Sequence, residues 1–318
     1  MTTLAIITNR GSTRNLRGDN WIDPLLGAET DLVHFRIDRA DQIADTVQRC
    51  ADAGATAIVV NGGDGTAGLV FAALLNGNAY PILPALALLP AGKTNMTTAG
   101  WSLKGTPEAA LAAVLKSRRD GTLARYIVSR PVLAVHRGAG IPPLYGAFFG
   151  GAAFVDGIRF CRKNIYPLNL PNAVSHTAAL GVLLWRGMLT KGTRGAASVR
   201  ENERVLESGN FFVIAVTALD EVLLGIRPEP EGPNATGGET TLHYVSLRVG
   251  AGPILGMLPG LVRGQIKPGV GRTVRRLNRL TLNFGGAYTL DGELYEARAD
   301  EPLVLDGSRH LNFIRIAS

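Results

Sequence analysis

Two runs, residues 55–60 (ATAIVV), apolar but for Thr56 near its start, and 85–89 (ALALL), constrain this chain more than any other feature. A strand with one face in water alternates apolar with polar residues. A strand with no polar position must be covered on both sides, which is the situation of a parallel sheet under helices. The flanking sequence agrees. Residues 4–8 (LAIIT) form a third short run. Ile37, Ala40, Ile43, Ala44, Val47 and Ala51 recur at spacings of three and four, with Asp38, Asp41, Asp45 and Asp52 between them. That pattern predicts an amphipathic helix with an acidic first turn. Residues 67–75 predict a second helix and 106–118 a third, with Pro107 where helices accept proline. Strand and helix in alternation predict an α/β domain with a parallel sheet.

Each apolar run ends in a small-residue loop: Asn9-Arg10-Gly11-Ser12, then Asn61-Gly62-Gly63-Asp64-Gly65-Thr66, then Pro90-Ala91-Gly92. In open α/β sheets, ligands sit at these carboxyl ends. The middle loop is the most informative. Its glycines allow a tight fold that brings backbone N–H groups close to an anion, and the helix after it points its positive end there. Asp64 is a poor neighbour for a phosphate but a good partner for magnesium or a hydroxyl. Taken alone, the segment also reads as a tight turn with no ligand.

Beyond about residue 121 the texture changes. Strand-like runs at 126–136, 144–149, 178–185, 211–219, 241–249, 280–284 and 311–316 follow one another without clear helices, separated by Gly- and Pro-rich turns. They predict a larger, mainly antiparallel β-sandwich or barrel. The expected division is an α/β domain over 1–123, to which about 306–318 returns, and a β-sandwich domain over 124–305.

Composition narrows the partners. With 318 residues there is room for two cores, and a net charge of +7 favours anionic ligands or surfaces. The start of the chain lacks the pattern of a signal peptide, and no apolar run approaches the roughly 18–20 residues that span a bilayer. The expectation is a cytoplasmic protein whose membrane association is peripheral. Cys50 and Cys161 have no metal-like spacing and read as buried apolar residues, and the five histidines are scattered.

The Gly-Gly-Asp-Gly-Thr string after a buried strand resembles the nucleotide-binding loop of the diacylglycerol kinase catalytic domain. That family includes sphingosine and ceramide kinases and is similar to NAD kinases and phosphofructokinases. Three further segments match in order. Asn9-Arg10-Gly11-Ser12, with Asn15, resembles the family's Asn-Pro-x-Ser-Gly loop. Pro90-Ala91-Gly92-Lys93-Thr94-Asn95-Met96 resembles its Pro-x-Gly-Thr-x-Asn-Asp loop. Asp291-Gly292-Glu293 resembles its late Asp-Gly-Glu motif. Gly150-Gly151-Ala152 falls where bacterial lipid kinases open their second domain. The third loop departs from the pattern: Lys93 replaces a threonine and Met96 the final aspartate. Bacterial relatives also carry a structural magnesium in the second domain, but residues 234–240 (NATGGET) give no ligand set for it.

The resemblance implies an NAD kinase- and phosphofructokinase-like first domain and ATP and Mg²⁺ as cofactors. Gly62, Gly63, Gly65 and Thr66 would hold the phosphates. Asn9, Arg10, Ser12, Gly92, Lys93, Thr94 and Asn95 would frame the nucleotide. Asp64 would bind magnesium, directly or through water, or orient the acceptor hydroxyl. Glu293 is the first choice for general base, with Asp291 beside it, although Asp-Gly is also a frequent hairpin turn. Positioning and charge neutralisation would then carry phosphoryl transfer.

The acceptor is less legible. From 240 to 290 the chain has Arg248, Arg263, Lys267, Arg272, Arg275, Arg276 and Arg279 and no acidic residue, interleaved with apolar ones. That suits an anionic membrane face, as it also suits a solvated basic surface. Tyr145, Phe148, Phe149, Phe154, Phe160, Phe211 and Phe212 read as core or as an acyl-chain cleft. No nucleic-acid recognition motif is present, so nucleic acid is not an expected partner, and a homodimer is compatible with the reading. The leading expectation is a lipid kinase acting on a diacylglycerol- or ceramide-type hydroxyl. The alternatives are a soluble-substrate kinase of the NAD kinase type and a non-catalytic nucleotide- or lipid-binding homologue.

Overall fold

The computed structural model describes residues 3–316 except 28, 30, 94, 102, 104, 166–195, 202–203, 223–224 and 231–240. The chain divides into two compact units. The first comprises Met1–Arg130, Leu144–Gly146 and His310–Ser318; the second comprises Pro131–Pro143 and Ala147–Arg309.

The first unit holds strands β1 (Leu4–Asn9), β2 (Leu32–Ile37), β3 (Ala57–Gly62), β4 (Ala85–Pro90) and β5 (Ile127–Pro131). With the C-terminal strand His310–Ile314 they form a six-stranded sheet in the order β2-β1-β3-β4-His310–Ile314-β5. β1 is parallel to β2 and β3, β3 to β4, and the C-terminal strand to β4, as the doubly apolar runs require. Every residue of β3 is buried. Helices α1 (Ile22–Leu26), α2 (Ile43–Asp52), α3 (Asp64–Asn76), α4 (Met96–Trp101) and α5 (Pro107–Arg119) alternate with the strands.

The local reasons are ordinary. The Thr106 side chain caps α5 by accepting from the Ala109 N–H at 3.2 Å, and Pro107 sits in the first turn. Glu108 lies at the start and Lys116, Arg118 and Arg119 at the end, matching the helix dipole. Leu4, Ile6, Val59, Ala87 and Leu89 from the strands meet Leu111, Val114 and Leu115 from α5 in one core. Phe313 of the last strand packs edge-on against Phe71 of α3, with ring centres 5.7 Å apart, and lies 5.1 Å from Trp101 of α4. The α2 prediction needs correction. Ile37 ends strand β2, Ala40–Gln42 is a 3₁₀ turn, and the helix starts only at Ile43. Gln42 Oε1 accepts from the N–H groups of Asp38 and Arg39, and this closes the turn before the helix starts.

Among the described residues the second unit is built of mainly antiparallel strands. Its axis is Arg204–Thr217, a 14-residue strand. The first half pairs with Ala196–Glu201; the second half lies between Phe148–Ala152 and Leu242–Arg248. Two helices stand where the sequence shows only strand texture, Ala153–Phe160 and Ala251–Val262. The expected strand at 178–185 and the segment 234–240 lie outside the described residues. Both cysteines are buried and free, and burial pushes the Cys50 thiol up to about 12. Among the described residues no helix is long and apolar enough to cross a membrane.

Candidate active site

β3 delivers the chain to Gly63, the N-cap of α3, so Asp64, Gly65 and Thr66 occupy the first turn of that helix. The first intrahelical bond runs from the Ala67 N–H to the Gly63 carbonyl at 3.1 Å. The N–H groups of residues 64–66 therefore have no intrahelical acceptor.

Space, not an unusual dihedral, demands the glycines here. A Cβ on Gly62 would lie 2.6 Å from the Thr66 Cβ. One on Gly92 would lie 2.7 Å from the Gly63 Cα, and one on Gly63 3.1 Å from the Gly92 Cα. The second and third loops thus pack backbone on backbone, an approach that a methyl group would block.

Asp64 is buried, and its carboxylate fastens the third loop. Oδ2 accepts from the Met96 N–H at 3.1 Å and Oδ1 from the Thr97 N–H at 3.2 Å, which satisfies two donors at the start of α4. Burial raises its carboxyl pKa, and the hydrogen bonds from Met96 and Thr97 oppose that rise. Sequence reasoning missed this role, because the partners lie about thirty residues away and are backbone groups. In the same loop Asn95 takes φ +52, which asparagine tolerates. Its Oδ1 accepts from the Gly92 N–H at 2.7 Å, and its Nδ2 donates to the Gly92 carbonyl at 2.9 Å. Lys93 is exposed. Thr94 lies outside the described residues.

The first loop is tied to the second. Asn9 Nδ2 donates to Thr66 Oγ1 at 2.9 Å, and Asn9 Oδ1 accepts from the Gly11 N–H at 2.9 Å. The Asn9 carbonyl accepts from the N–H of buried Ser12 at 3.1 Å. Asn15 Nδ2 bridges the carbonyls of Asn9 and Asn61 at 2.8 and 3.1 Å. The Arg14 N–H reaches the Ala91 carbonyl of the third loop at 3.1 Å. Arg10 is half-exposed, with its guanidinium 3.7 Å from Asp19 and 3.8 Å from Asp38. Asn9, Ser12, Gly62, Gly63, Asp64, Thr66, Gly92 and Asn95 therefore lie in one cluster of three loops, joined by hydrogen bonds and close backbone packing. Two buried atoms there, Asn15 Oδ1 and Asn61 Oδ1, have no hydrogen-bond partner.

Among the described residues no group of three or more His, Cys, Asp or Glu side chains converges. Both Asp64 oxygens already hold N–H groups, so an all-protein cage does not fit. A phosphate-held ion reaching Asp64 through water does fit, since each oxygen keeps a second lone pair; magnesium commonly binds in this way.

In the second unit, Asp291 and Gly292 form the two-residue tip of a hairpin between Gly286–Leu290 and Glu293–Ala297, with Leu290 opposite Glu293. Both have positive φ, +50 and +91, the signature of a type I′ turn. The Asp291 carboxylate accepts from the N–H groups of Ala147 at 2.9 Å and Phe148 at 2.8 Å, at the entry to the strand Phe148–Ala152. Glu293 is exposed, and its carboxylate lies 3.4 Å from an Arg162 nitrogen, which also donates to the Gly292 carbonyl at 3.0 Å. Phe148–Ala152 ends at Ala152 with φ +58, a strained dihedral for alanine, at the head of the helix Ala153–Phe160.

Sequence reasoning also overlooked Glu207. It is half-buried, and it accepts hydrogen bonds from the hydroxyls of Tyr244, Ser246 (2.5 Å) and Thr273 (3.2 Å). Fully engaged in this way, it reads as a clamp across three strands.

Residues 3–124 match the family model described as the diacylglycerol kinase catalytic domain. Among solved structures, "Crystal structure of a putative diacylglycerol kinase from Bacillus anthracis str. Sterne" is 17% identical at a TM-score of 0.67, covering 99% of this chain and 97% of that one. A further diacylglycerol kinase structure from the same organism is 14% identical at a TM-score of 0.61, with the same coverage. A yeast NADH kinase solved with NADH is 9% identical at a TM-score of 0.52, covering 99% of this chain and 84% of that one. No curated protein matches the chain in sequence. At such identities the structural likeness establishes the fold, an α/β unit followed by a larger antiparallel β unit.

Proposed function

We propose that this chain, whose residues 3–124 match the diacylglycerol kinase catalytic domain model, is an ATP-dependent lipid kinase. It transfers the γ-phosphoryl group of ATP to a hydroxyl of a diacylglycerol- or ceramide-type membrane lipid. One observation carries the reading: three loops are locked together around the N-terminus of α3. Backbone donors at residues 64–66 sit there with no intrahelical acceptor, which is the arrangement that takes phosphate oxygens.

In this mechanism the chain supplies position and charge. The N–H groups of Asp64, Gly65 and Thr66 hold the nucleotide's phosphates, with Gly62, Gly63 and Gly92 admitting the close approach. Asn9 and Asn95 keep the first and third loops in shape, since their own side chains are engaged. Ser12, Arg10 and Thr94 frame the nucleotide, and Lys93 offers a point charge to the phosphates. Asp64 holds the third loop against the second. Asp64 would hold a magnesium ion, which would supply charge neutralisation on the phosphates. Glu293 accepts the proton of the acceptor hydroxyl, and Asp291 fixes the hairpin that presents it. The basic, acid-free stretch from 240 to 290 supports an anionic membrane as the place of work, with the protein cytoplasmic and peripherally bound. Lys93 and Met96, in positions where the family differs, favour one second reading, a nucleotide- or lipid-binding homologue without turnover.

A phosphorylation assay with γ-labelled ATP, Mg²⁺ and detergent-dispersed diacylglycerol, ceramide, sphingosine and monoacylglycerol tests the proposal. Label entering one lipid, and lost in Asp64→Asn, is the expected result. ATP binding with no label in any lipid overturns it in favour of the binding homologue or a soluble acceptor.

A further inference from the structure

One continuous segment of the second unit holds the tip of the Asp291-Gly292 hairpin from both of its ends. At its start, the N–H groups of Ala147 and Phe148 take the Asp291 carboxylate at 2.9 and 2.8 Å. The segment then runs as the strand Phe148–Ala152, bends at the strained Ala152, and continues as the helix Ala153–Phe160. A single π turn, Cys161–Ile165, extends that helix, and such turns recur at functional positions. From this turn Arg162 reaches back to the tip. Its Nη2 donates to the Gly292 carbonyl at 3.0 Å and to Glu293 Oε2 at 3.4 Å. A guanidinium NH₂ carries two hydrogens, so the two bonds form together. All of these residues belong to the second unit.

The contact does what packing does not. Glu293 is exposed and its side chain turns about three bonds, so no buried surface fixes its direction. The Gly292 carbonyl belongs to the peptide that enters Glu293. Arg162 therefore fixes the backbone from which the side chain leaves and, with the same nitrogen, one oxygen of its carboxylate. Glu293 Oε1 has no partner among the described residues. One turn earlier, Arg159 lies 3.9 Å from Glu296 of the strand Glu293–Ala297. That pair is also exposed and has the same charges, but among the described residues it makes no bond to the hairpin backbone. It is a built-in control.

We infer that Arg162 is a positioning residue for the proton acceptor of the lipid-kinase reading, on which the inference rests. It holds Glu293 Oε2, keeps the carboxylate in one orientation and leaves Oε1 to take the proton of the acceptor hydroxyl. Exposed ion pairs add little to folding stability, whereas rates respond steeply to orientation. The contribution of Arg162 is therefore to turnover rather than to the fold.

The test is turnover with γ-labelled ATP, Mg²⁺ and the lipid that the wild type labels. The variants are Arg162→Ala, Arg162→Lys, Arg159→Ala, Glu293→Gln and Arg162→Ala/Glu293→Gln, with circular dichroism and the unfolding midpoint verifying each fold. Arg162→Ala is expected to lower kcat by about tenfold or more while KM for ATP stays within about twofold. Lysine keeps the charge and one of the two bonds, so Arg162→Lys recovers part of the loss. Arg159→Ala stays near the wild type. In the Glu293→Gln background, removing Arg162 costs nothing further, because the group it positions is already gone. Wild-type kcat in Arg162→Ala overturns the inference. A full additional loss in the double variant also overturns it, by giving Arg162 a role apart from Glu293. An equal loss in Arg159→Ala does so too, by reducing the contact to helix docking. A second readout needs no turnover. With glutamate labelled by ¹³C at the carboxyl, the Glu293 resonance, assigned by its absence in Glu293→Gln, is expected to move in Arg162→Ala and to stay in place in Arg159→Ala. No movement in Arg162→Ala overturns the inference. A wild type that labels no lipid, with a resonance that still moves, strikes the kinase reading and leaves Arg162 standing as the anchor of Glu293.

Discussion

Asp64-Gly65 and Asp291-Gly292 are the same dipeptide put to related use in two different backbones. The first opens a helix; the second turns a hairpin with both residues at positive φ. In each, the carboxylate reaches two consecutive backbone N–H groups of a segment far away in sequence, Met96 and Thr97 in one case, Ala147 and Phe148 in the other. Asp64 does so in a buried place, Asp291 in a half-buried one with exposed Glu293 close by. The difference teaches which residue is open to chemistry. An aspartate that caps a buried loop is first a fastener. Of the three carboxylates only Glu293 is exposed.

Removing the two fasteners is the most severe way to test that contrast. Asp64→Ala leaves two N–H groups without an acceptor and is expected to cost roughly 1–3 kcal/mol for each in chemical denaturation, with loss of most turnover. Asp291→Ala, less buried, is expected to cost about half as much. An equal or larger cost at Asp291 would break the comparison. Asp64→Asn keeps one acceptor but turns an amide N–H₂ toward the other donor, so reduced stability as well as reduced turnover is expected.

The glycines sharpen it further. Gly92→Ala drives a methyl group into Gly63 and should cost about 1–3 kcal/mol, since backbone cannot yield as a side chain does. Gly292→Ala meets nothing within 4 Å and should cost only about 1–2 kcal/mol, from its φ of +91. Next, Glu293→Gln should remove most turnover while shifting stability by no more than about 0.5 kcal/mol, because the side chain is exposed. Wild-type turnover in that variant would move the base to Asp291.

The smallest effect concerns His34 on β2, held neutral by burial and by Arg36, its pKa lowered from 6.5 to about 4. The unfolded chain takes up this proton near pH 6.5 and the folded chain only near 4. The stabilisation is therefore complete above pH 6.5 and is lost as pH falls toward 4. His34→Gln should flatten the decline of the unfolding midpoint across that window.

Much of the first unit was legible because its signals are local. The apolar runs at 55–60 and 85–89 announce β3 and β4, and Thr106 with Pro107 announces α5. The three loops also stood out by composition. What escaped was tertiary. Nothing near Asp64 in sequence says that its oxygens belong to Met96 and Thr97. The helix Ala251–Val262 was hidden because it carries three glycines and two prolines, residues of poor helix propensity that packing on Phe212 and Leu247 overrides. β2 was hidden for the opposite reason: His34 and Arg36 interrupt its apolar pattern, though Arg36 is held there by Asp19 and Asp23 and the His34 Nε2 lies 2.9 Å from the Thr8 hydroxyl.

The strand His310–Ile314 lies between β4 and β5 in the first unit's sheet, although the whole second unit precedes it in the chain. On a ribosome, the first unit therefore emerges with a slot through its sheet and with Phe71 and Trp101 lacking Phe313. The slot closes only after the second unit and this strand have been made. A polypeptide interrupted before it would present two open strand edges and an aromatic hollow to the cell's chaperones and proteases, so the strand seals a sheet begun about three hundred residues earlier.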